Sequence, residues 1–356
     1  MTHKEENIRV GISIGDLNGI GVEVILKCFE DNRMLELCTP VIFGNSKPIS
    51  YIKKAINNNT TIQGAESISQ IVPGKVNVLN LWKDTININF GANDALVGKF
   101  AIKSFTAATA ALKNNEIDVL VTAPINKYNS QDEDYKYPGH TDYLNDNLEG
   151  DALMLLVSEN LRVGLLTDHL PLHEVANAIT PELIERKVKT INEALINDFN
   201  ILKPRIAILG LNPHAGDAGV IGSEEIDIIK PTVLKLADEG ILITGPFPAD
   251  GFFGSETYTK FDAVIACYHD QGLAPFKALS FGNGVNYTAG LNKIRTSPDH
   301  GTAYEIAGKG IADATSFREA VYLALDIYKN RKLNEEIKSN PLQPQEKELN
   351  VKKFDN

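Results

Sequence analysis

Apolar, β-branched runs recur along this chain, each followed by a Gly, Pro or Asp cluster and then a segment with helical periodicity. The clearest runs cover residues 8–14, 40–43, 117–122, 161–167, 206–210 and 263–267. Several are nearly continuous rather than alternating, the pattern of strands covered on both faces. Between residues 94 and 113, Val97, Phe100, Ala101, Phe105, Ala108 and Leu112 fall along one helical face, and 191–199 and 317–328 read similarly. Ser223 is placed to cap a helix over 224–230, which Pro231 kinks or restarts. Strand–helix alternation of this kind specifies α/β architecture with a largely parallel sheet.

The chain has 356 residues, enough for about two domains. Its 35 Lys and Arg stand against 46 Asp and Glu, a net charge of −11, which excludes non-specific binding to nucleic acid. A small phosphate remains possible where a few cations converge. No run approaches the ~18 consecutive apolar residues of a membrane span, and residues 1–7 lack the apolar core of a secretory signal. Cys28, Cys38 and Cys267 form no CxxC pair, and buried thiols in a reducing, cytoplasmic setting are expected. Residues 57–61 and 129–136 read as surface excursions. The charged, Pro-interrupted segment 331–356 reads as a mobile tail.

Histidine carries the strongest chemical signal. Of seven, His169, His214 and His269 each directly follow a predicted strand. Ligands bind beyond the carboxyl ends of strands in open parallel sheets, so three imidazoles delivered there could converge on one divalent ion. Three unrelated loop histidines would leave the same trace, and their separation in sequence does not choose between the readings. Lys277 follows His269 through Gly272 and Pro275, which predict a loop, and Asn286 and Arg295 follow in a Gly-rich stretch. A Lys, an Arg and an amide so placed can cradle a phosphate or carboxylate, although ordinary surface cations look the same. Asp250 and Asp270 are nearby carboxylates suited to act as a base or to orient a ligand. Pro138-Gly139 predicts a tight turn presenting His140 and Thr141. The turn at 15–21 is neither GxGxxG nor a P-loop and reads as structural, with backbone N–H groups free to approach an anion.

Taken together, 122–127 (TAPINK), 138–141 (PGHT), 211–216 (LNPHAG), 268–273 (YHDQGL) and 290–303 (GLNKIRTSPDHGTA) resemble the 4-hydroxythreonine-4-phosphate dehydrogenase family of pyridoxal phosphate biosynthesis. The motifs run in matching order from about residue 8 to 328. The resemblance implies a two-domain α/β/α sandwich akin to isocitrate and isopropylmalate dehydrogenases. Its expected domains are 1–130 with 300–330, and 131–299, leaving 331–356 as the tail. It implies a homodimer with an active site shared between chains, and it places His269 in the neighbouring chain's site. It assigns one divalent metal (Zn, Mg or Co) to His169, His214 and His269. Substrate contacts fall on His140, Thr141, Lys277, Asn286 and Arg295, and the active-site aspartates on Asp250 and Asp270. Residues 300–312, with Gly301, Thr302 and Ala303 at their start, resemble an adenosine-binding loop that holds NAD or NADP without a GxGxxG.

The activity implied is oxidation of the secondary hydroxyl of 4-phosphooxy-L-threonine, then decarboxylation to 3-amino-2-oxopropyl phosphate. A metal suits both steps by acidifying the hydroxyl and stabilising the charge that decarboxylation releases. Four departures from the family pattern stand out: Asp168 where many relatives have Thr, the GDLNG first turn, the segment 129–137 before His140, and a tail beyond Tyr328 longer than the family needs. Rival readings are a dehydrogenase of threonate or erythronate 4-phosphate, a metal-dependent hydrolase without NAD, and a non-catalytic metabolite sensor. The 300–312 loop weighs against the last two.

Overall fold

The computed structural model describes residues 7–131, 135–137 and 139–339. It opens with β1 (Ile8–Ser13), α1 (Gly21–Cys28), α2 (Met34–Leu37), β2 (Cys38–Gly44), α3 (Ser46–Ala55), β3 (Ile62–Ala65) and β4 (Val76–Asn80). There follow α4 (Ala95–Lys113), β5 (Val119–Thr122), α5 (His140–Asn147), β6 (Gly150–Val157), β7 (Arg162–Leu165), α6 (Leu172–Ala178), α7 (Pro181–Asn197) and β8 (Ile206–Leu209). The remainder is α8 (Lys230–Asp238), β9 (Ile243–Phe247), α9 (Ala249–Gly254), β10 (Ala263–Ala266), α10 (His269–Ser280), β11 (Val285–Leu291), β12 (Arg295–Pro298) and α11 (Thr315–Ser339).

The strands form one 12-stranded sheet in the order β3-β4-β2-β1-β5-β12-β11-β6-β7-β10-β8-β9. From β3 to β12 the pairings are parallel, and so are those from β7 to β9. Between the blocks, β12, β11, β6 and β7 pair antiparallel, so the two parallel blocks run in opposite directions. The α/β class follows from the alternation, but β11 and β12 carry no apolar run of the kind that marks β2, β5, β8 and β10. Those four are buried at every position, as strands covered on both faces must be. Twist of roughly 20–25° per strand accumulates over the four steps from β5 to β7, and this lets carboxyl ends of opposed blocks reach one cleft.

Local signals behave as their chemistry dictates. Asp94 caps α4 by accepting from the Leu96 N–H at 2.8 Å. Helix α4 is the one helix among the described residues long and apolar enough to cross a membrane. It packs on β1, β2 and β5, with Phe100, Phe105 and Leu112 buried. Ser223 makes no side-chain cap; residues Glu225–Ile229 form a π-helical turn, and Pro231 restarts the chain in the first turn of α8.

Three expected surface segments are partly interior. Thr60 and Asn58 are buried, Thr60 donating to the Leu26 carbonyl at 2.8 Å. Asn129, Ser130 and Tyr135 are buried as well. The tail begins as ordered helix, because α11 runs through Ser339; residues 340–356 lie outside the described residues. Arg331 donates through Nε to Asp198 at 2.6 Å, while Tyr287 donates its hydroxyl to the other Asp198 oxygen at 2.5 Å. Asp198 is only 2% exposed, so removing its cation leaves a buried charge uncompensated. Arg331→Ala is therefore expected to cost about 3 kcal/mol of stability, read as a lower urea midpoint. A change below about 0.5 kcal/mol would mean the helix end does not anchor the fold.

Candidate active site

A cleft of about 350 Å³ opens where the two parallel blocks meet the antiparallel centre. Thr122 at the end of β5, His140, His169, His269, Lys277, Asn286, Arg295 and Gly301 all line it.

Arg295 sits at its base, first residue of β12 and 3% exposed. Its guanidinium donates to Thr122 Oγ1 from Nε (3.0 Å) and Nη2 (2.6 Å), and to Thr288 Oγ1 from Nη1 (3.2 Å). All of these acceptors are neutral hydroxyls, and no carboxylate pairs with it among the described residues. Burial pulls its pKa down to about 9, so it is still a cation at neutral pH. A buried cation with neutral partners only is an anion site in waiting.

His140 opens α5 beside it, its ring 4.4 Å from that of Phe105. Arg295 Nη2 lies 3.0 Å from His140 Nδ1, and a guanidinium can only donate, so Nδ1 accepts and the proton resides on Nε2. Nε2 is buried without a partner. Burial first, then Arg295 and Lys127, hold the ring well below the usual imidazole pKa, so it is neutral. The result is an uncharged, unpartnered N–H donor on a residue that lines the cleft. Thr141 follows in the first turn and does not line the cleft; Pro138, half of the expected turn, lies outside the described residues.

Lys277 is not on a loop. Gly272 and Pro275 both lie inside α10. A methyl on Gly272 would meet Val163 Cγ1 at 2.8 Å, so glycine is needed there for close helix–sheet approach rather than for a turn. His269, Leu273 and Lys277 then fall four residues apart along the helix wall of the cleft. Lys277 pairs with Asp299 at 3.3 Å. Asn286 and Arg295 are likewise on strands, β11 and β12, rather than in a Gly-rich loop, and Asn286 stands opposite Ser297. The Asn286 Oδ1 is buried and unpartnered.

The histidines come from three adjacent parallel strands, β7, β10 and β8. Thr167 prolongs the β7–β10 ladder, its N–H and hydroxyl both donating to the Cys267 carbonyl. His169 and His269 each lie two residues further on, and their ring centroids are 6.1 Å apart. Two imidazoles on one ion at ~2.0–2.1 Å place their centroids about 5–6 Å apart. His269 Nδ1 is engaged by Asp270 Oδ1 at 2.6 Å, leaving Nε2 free to ligate. Burial and then Lys127 push the His169 pKa down, favouring the neutral, ligating form. Asp168 has a buried, unpartnered Oδ1 beside this pair, and burial raises its pKa.

His214 and Asp250 do not join them. No group of three His, Cys, Asp or Glu side chains close enough to hold an ion occurs among the described residues. His214 follows β8 and Asp250 follows β9, the strands outward of β10, and neither lines the cleft. Both are exposed. His214 begins a left-handed turn in which five successive residues, to Ala218, have φ between 42° and 79°. Four of these are not glycine, at a cost of about 1–2 kcal/mol each. His169 and His269 thus line one cleft of this chain, and His214 does not line it.

The 300–312 loop packs on the first strand–helix turn. The Ile20 N–H donates to the Thr302 carbonyl at 3.0 Å, and Ala303 takes a left-handed φ of 43°. Asp16, fully buried, accepts from the Tyr304 hydroxyl (2.6 Å) and from Asn129 Nδ2 (2.8 Å). At the far end, Glu23 accepts from the Ala312 N–H at 2.8 Å, and Lys27 Nζ donates to the Gly310 and Ala312 carbonyls at 2.9 and 2.7 Å. Thr122, Thr288 and Asp16 were not among the expected site residues. Thr122 opens the TAPINK motif, and Asp16 had only its place in a strand-to-helix turn to mark it.

The model of the pyridoxal phosphate biosynthetic protein PdxA family matches residues 36–324. The chain is similar to the 4-hydroxythreonine-4-phosphate dehydrogenase of Bacteroides thetaiotaomicron, 47% identical over 344 residues, 96% of this chain and 94% of that protein. It is 41% identical over 327 residues to the protein of the same name from a Sulfurihydrogenibium species, covering 91% of this chain and 100% of that one. Among solved structures, the 4-hydroxythreonine-4-phosphate dehydrogenase of Klebsiella pneumoniae matches with a TM-score of 0.77 at 32% identity, over 92% of this chain and 99% of that one.

Proposed function

Because the chain belongs to the pyridoxal phosphate biosynthetic protein PdxA family, we propose that it oxidises 4-phosphooxy-L-threonine at its secondary hydroxyl. Hydride leaves the carbinol carbon for NAD or NADP, the hydroxyl proton is released, and the resulting β-keto acid loses CO₂ to give 3-amino-2-oxopropyl phosphate. The observation that carries this reading is Arg295, a buried guanidinium with neutral partners only, joined to the unpartnered His140 donor. Arg295 neutralises the phosphate, and Lys277, already turned toward Asp299, adds a second, more exposed cation. His140 Nε2–H and Asn286, with Thr141 beside His140 in the first turn of α5, fix the remaining polar groups of the substrate.

His169 and His269, with His214 from a second copy, are the residues that would hold a divalent ion such as Zn, Mg or Co. Such an ion would acidify the substrate hydroxyl and stabilise the charge left by decarboxylation. Asp270 sets the His269 tautomer. Asp250 would reach the site from the same copy as His214. Gly301, Thr302 and Ala303 open the loop that would carry the adenosine half of the dinucleotide. The working unit in this reading is a homodimer with an active site shared between chains.

The decisive test is formation of reduced dinucleotide with substrate and metal present, run beside threonate 4-phosphate. Turnover of 4-phosphooxy-L-threonine in preference supports the reading, and hydrolysis without dinucleotide reduction overturns it. His140 gives a sharper check. Since it is neutral in the folded protein, kcat/KM should show no inflection from it between about pH 5 and 8. His140→Asn, which keeps an N–H donor, should retain about tenfold more activity than His140→Ala. Equal loss in both would remove the donor role.

A further inference from the structure

A metal ligand on a left-handed turn is useful only if something prevents the turn from relaxing. We infer that Glu225 is the positioning residue that locks this turn and aims His214 at the second copy's site. The inference rests on the shared-site reading above.

Glu225 is 3% exposed and has no cation partner among the described residues. Its Oε1 accepts the Asn212 backbone N–H at 2.7 Å, and its Oε2 accepts Asn212 Nδ2 at 2.9 Å. One residue, two before His214, is thereby gripped by both backbone and side chain. The carboxylate also fills the hollow of the turn: a methyl on Gly216 would stand 2.6 Å from Oε2, and one on Gly210 3.1 Å from Oε1. Gly216 is in the left-handed region at φ 79°, so the turn curls directly around the carboxylate. An ionised carboxylate is the only side chain of this size that offers two acceptors at once. Glutamine in its place presents one acceptor and one donor, and meets Asn212 Nδ2 with an N–H.

The grip extends to the other ligand-bearing strand. Gln271, two residues beyond His269, donates through Nε2 to the Gly210 carbonyl at 2.6 Å and accepts the Cys267 N–H at 2.7 Å. The base of the His214 turn and the start of α10 are thus one hydrogen-bonded unit. Nothing in this network touches the cleft lined by Arg295 and His140.

The test measures metal binding rather than turnover. Full-length wild type, Glu225→Ala, Glu225→Gln and His214→Ala are stripped with chelator and titrated with Co²⁺, read by its visible absorption. Molar mass is followed by light scattering and unfolding by circular dichroism. Glu225→Ala is expected to weaken Co²⁺ by about 10–100-fold with its dimer mass intact. Glu225→Gln should fall between it and wild type at unchanged melting temperature, a separation that a merely structural role would not give. Should the Ala variant not fold, the Gln variant decides alone. Co²⁺ affinity within about twofold of wild type in the folded Glu225 variants, with His214→Ala impaired, overturns the inference and leaves the shared site standing. An unimpaired His214→Ala overturns the shared site itself, and the role of Glu225 with it.

Discussion

Arg295→Met is expected to raise the KM for the phosphorylated substrate by about one to two decades without loss of thermal stability in the ligand-free protein. A charge-assisted contact is worth roughly 1.5–3 kcal/mol, and about 1.4 kcal/mol is tenfold in affinity. Stability should hold because the guanidinium is desolvated and repaid only by neutral acceptors, the Thr122 and Thr288 hydroxyls and His140 Nδ1. Methionine matches its volume and removes the buried charge. The control substrate is 4-hydroxythreonine, which lacks the phosphate. Wild type should discriminate strongly against it, and the variant should discriminate about tenfold less or weaker still. A variant that discriminates as wild type does, or that loses several kcal/mol of stability, would assign Arg295 to the scaffold instead.

The second large effect is complementation. His214→Ala and His169→Ala chains should each be inactive alone. Refolded together, half the dimers are heterodimers under random pairing, and one of their two sites keeps every histidine. Activity should return to about one quarter of wild type per total site. His169→Ala mixed with His269→Ala should recover nothing, because those two rings share one chain's cleft. Recovery in the second mixture and none in the first would restore the opposite assignment, with His269 crossing between chains. The refolded fraction, measured by molar mass, normalises both.

What was legible in the sequence followed from period and composition. Strands buried on both faces declare themselves through unbroken apolar runs, so β1, β2, β5, β7, β8 and β10 were visible. Strands β11 and β12 were not. Strand β11 contains Asn286, Thr288 and Gly290 and follows Gly282 and Gly284, a composition that reads as loop until neighbours on both sides supply its hydrogen bonds. Pro275 and Gly272 misled for a related reason: tertiary packing of α10 against β7 and β10 outweighs their local preference. The polar stretch after Lys127 looked solvated because the partner that buries Asn129 is Asp16, more than a hundred positions away. His140, His169, His269, Lys277, Asn286 and Arg295 were all singled out in the sequence and all line the cleft, but no pattern in one chain reveals that Arg295 lacks a carboxylate or that His214 is exposed outside it. Those are properties of depth and direction, which periodicity does not encode.

The placement of β12 between β5 and β11 has a consequence for how the protein is made. Strand β5 is synthesised long before its neighbour, and α1 waits for Gly310 and Ala312 before Glu23 and Lys27 find their partners. At about 5–20 residues per second, on the order of ten to thirty-five seconds separates the emergence of β5 from the ribosome and that of β12. Throughout that interval β5 presents an unpaired edge, which invites pairing with other nascent chains. A fragment ending before Arg295 would keep two such edges permanently, β5 and β11. Translation order and folding order run nearly opposite at the centre of this sheet, so a stalled or truncated message yields an aggregating chain rather than a smaller folded one.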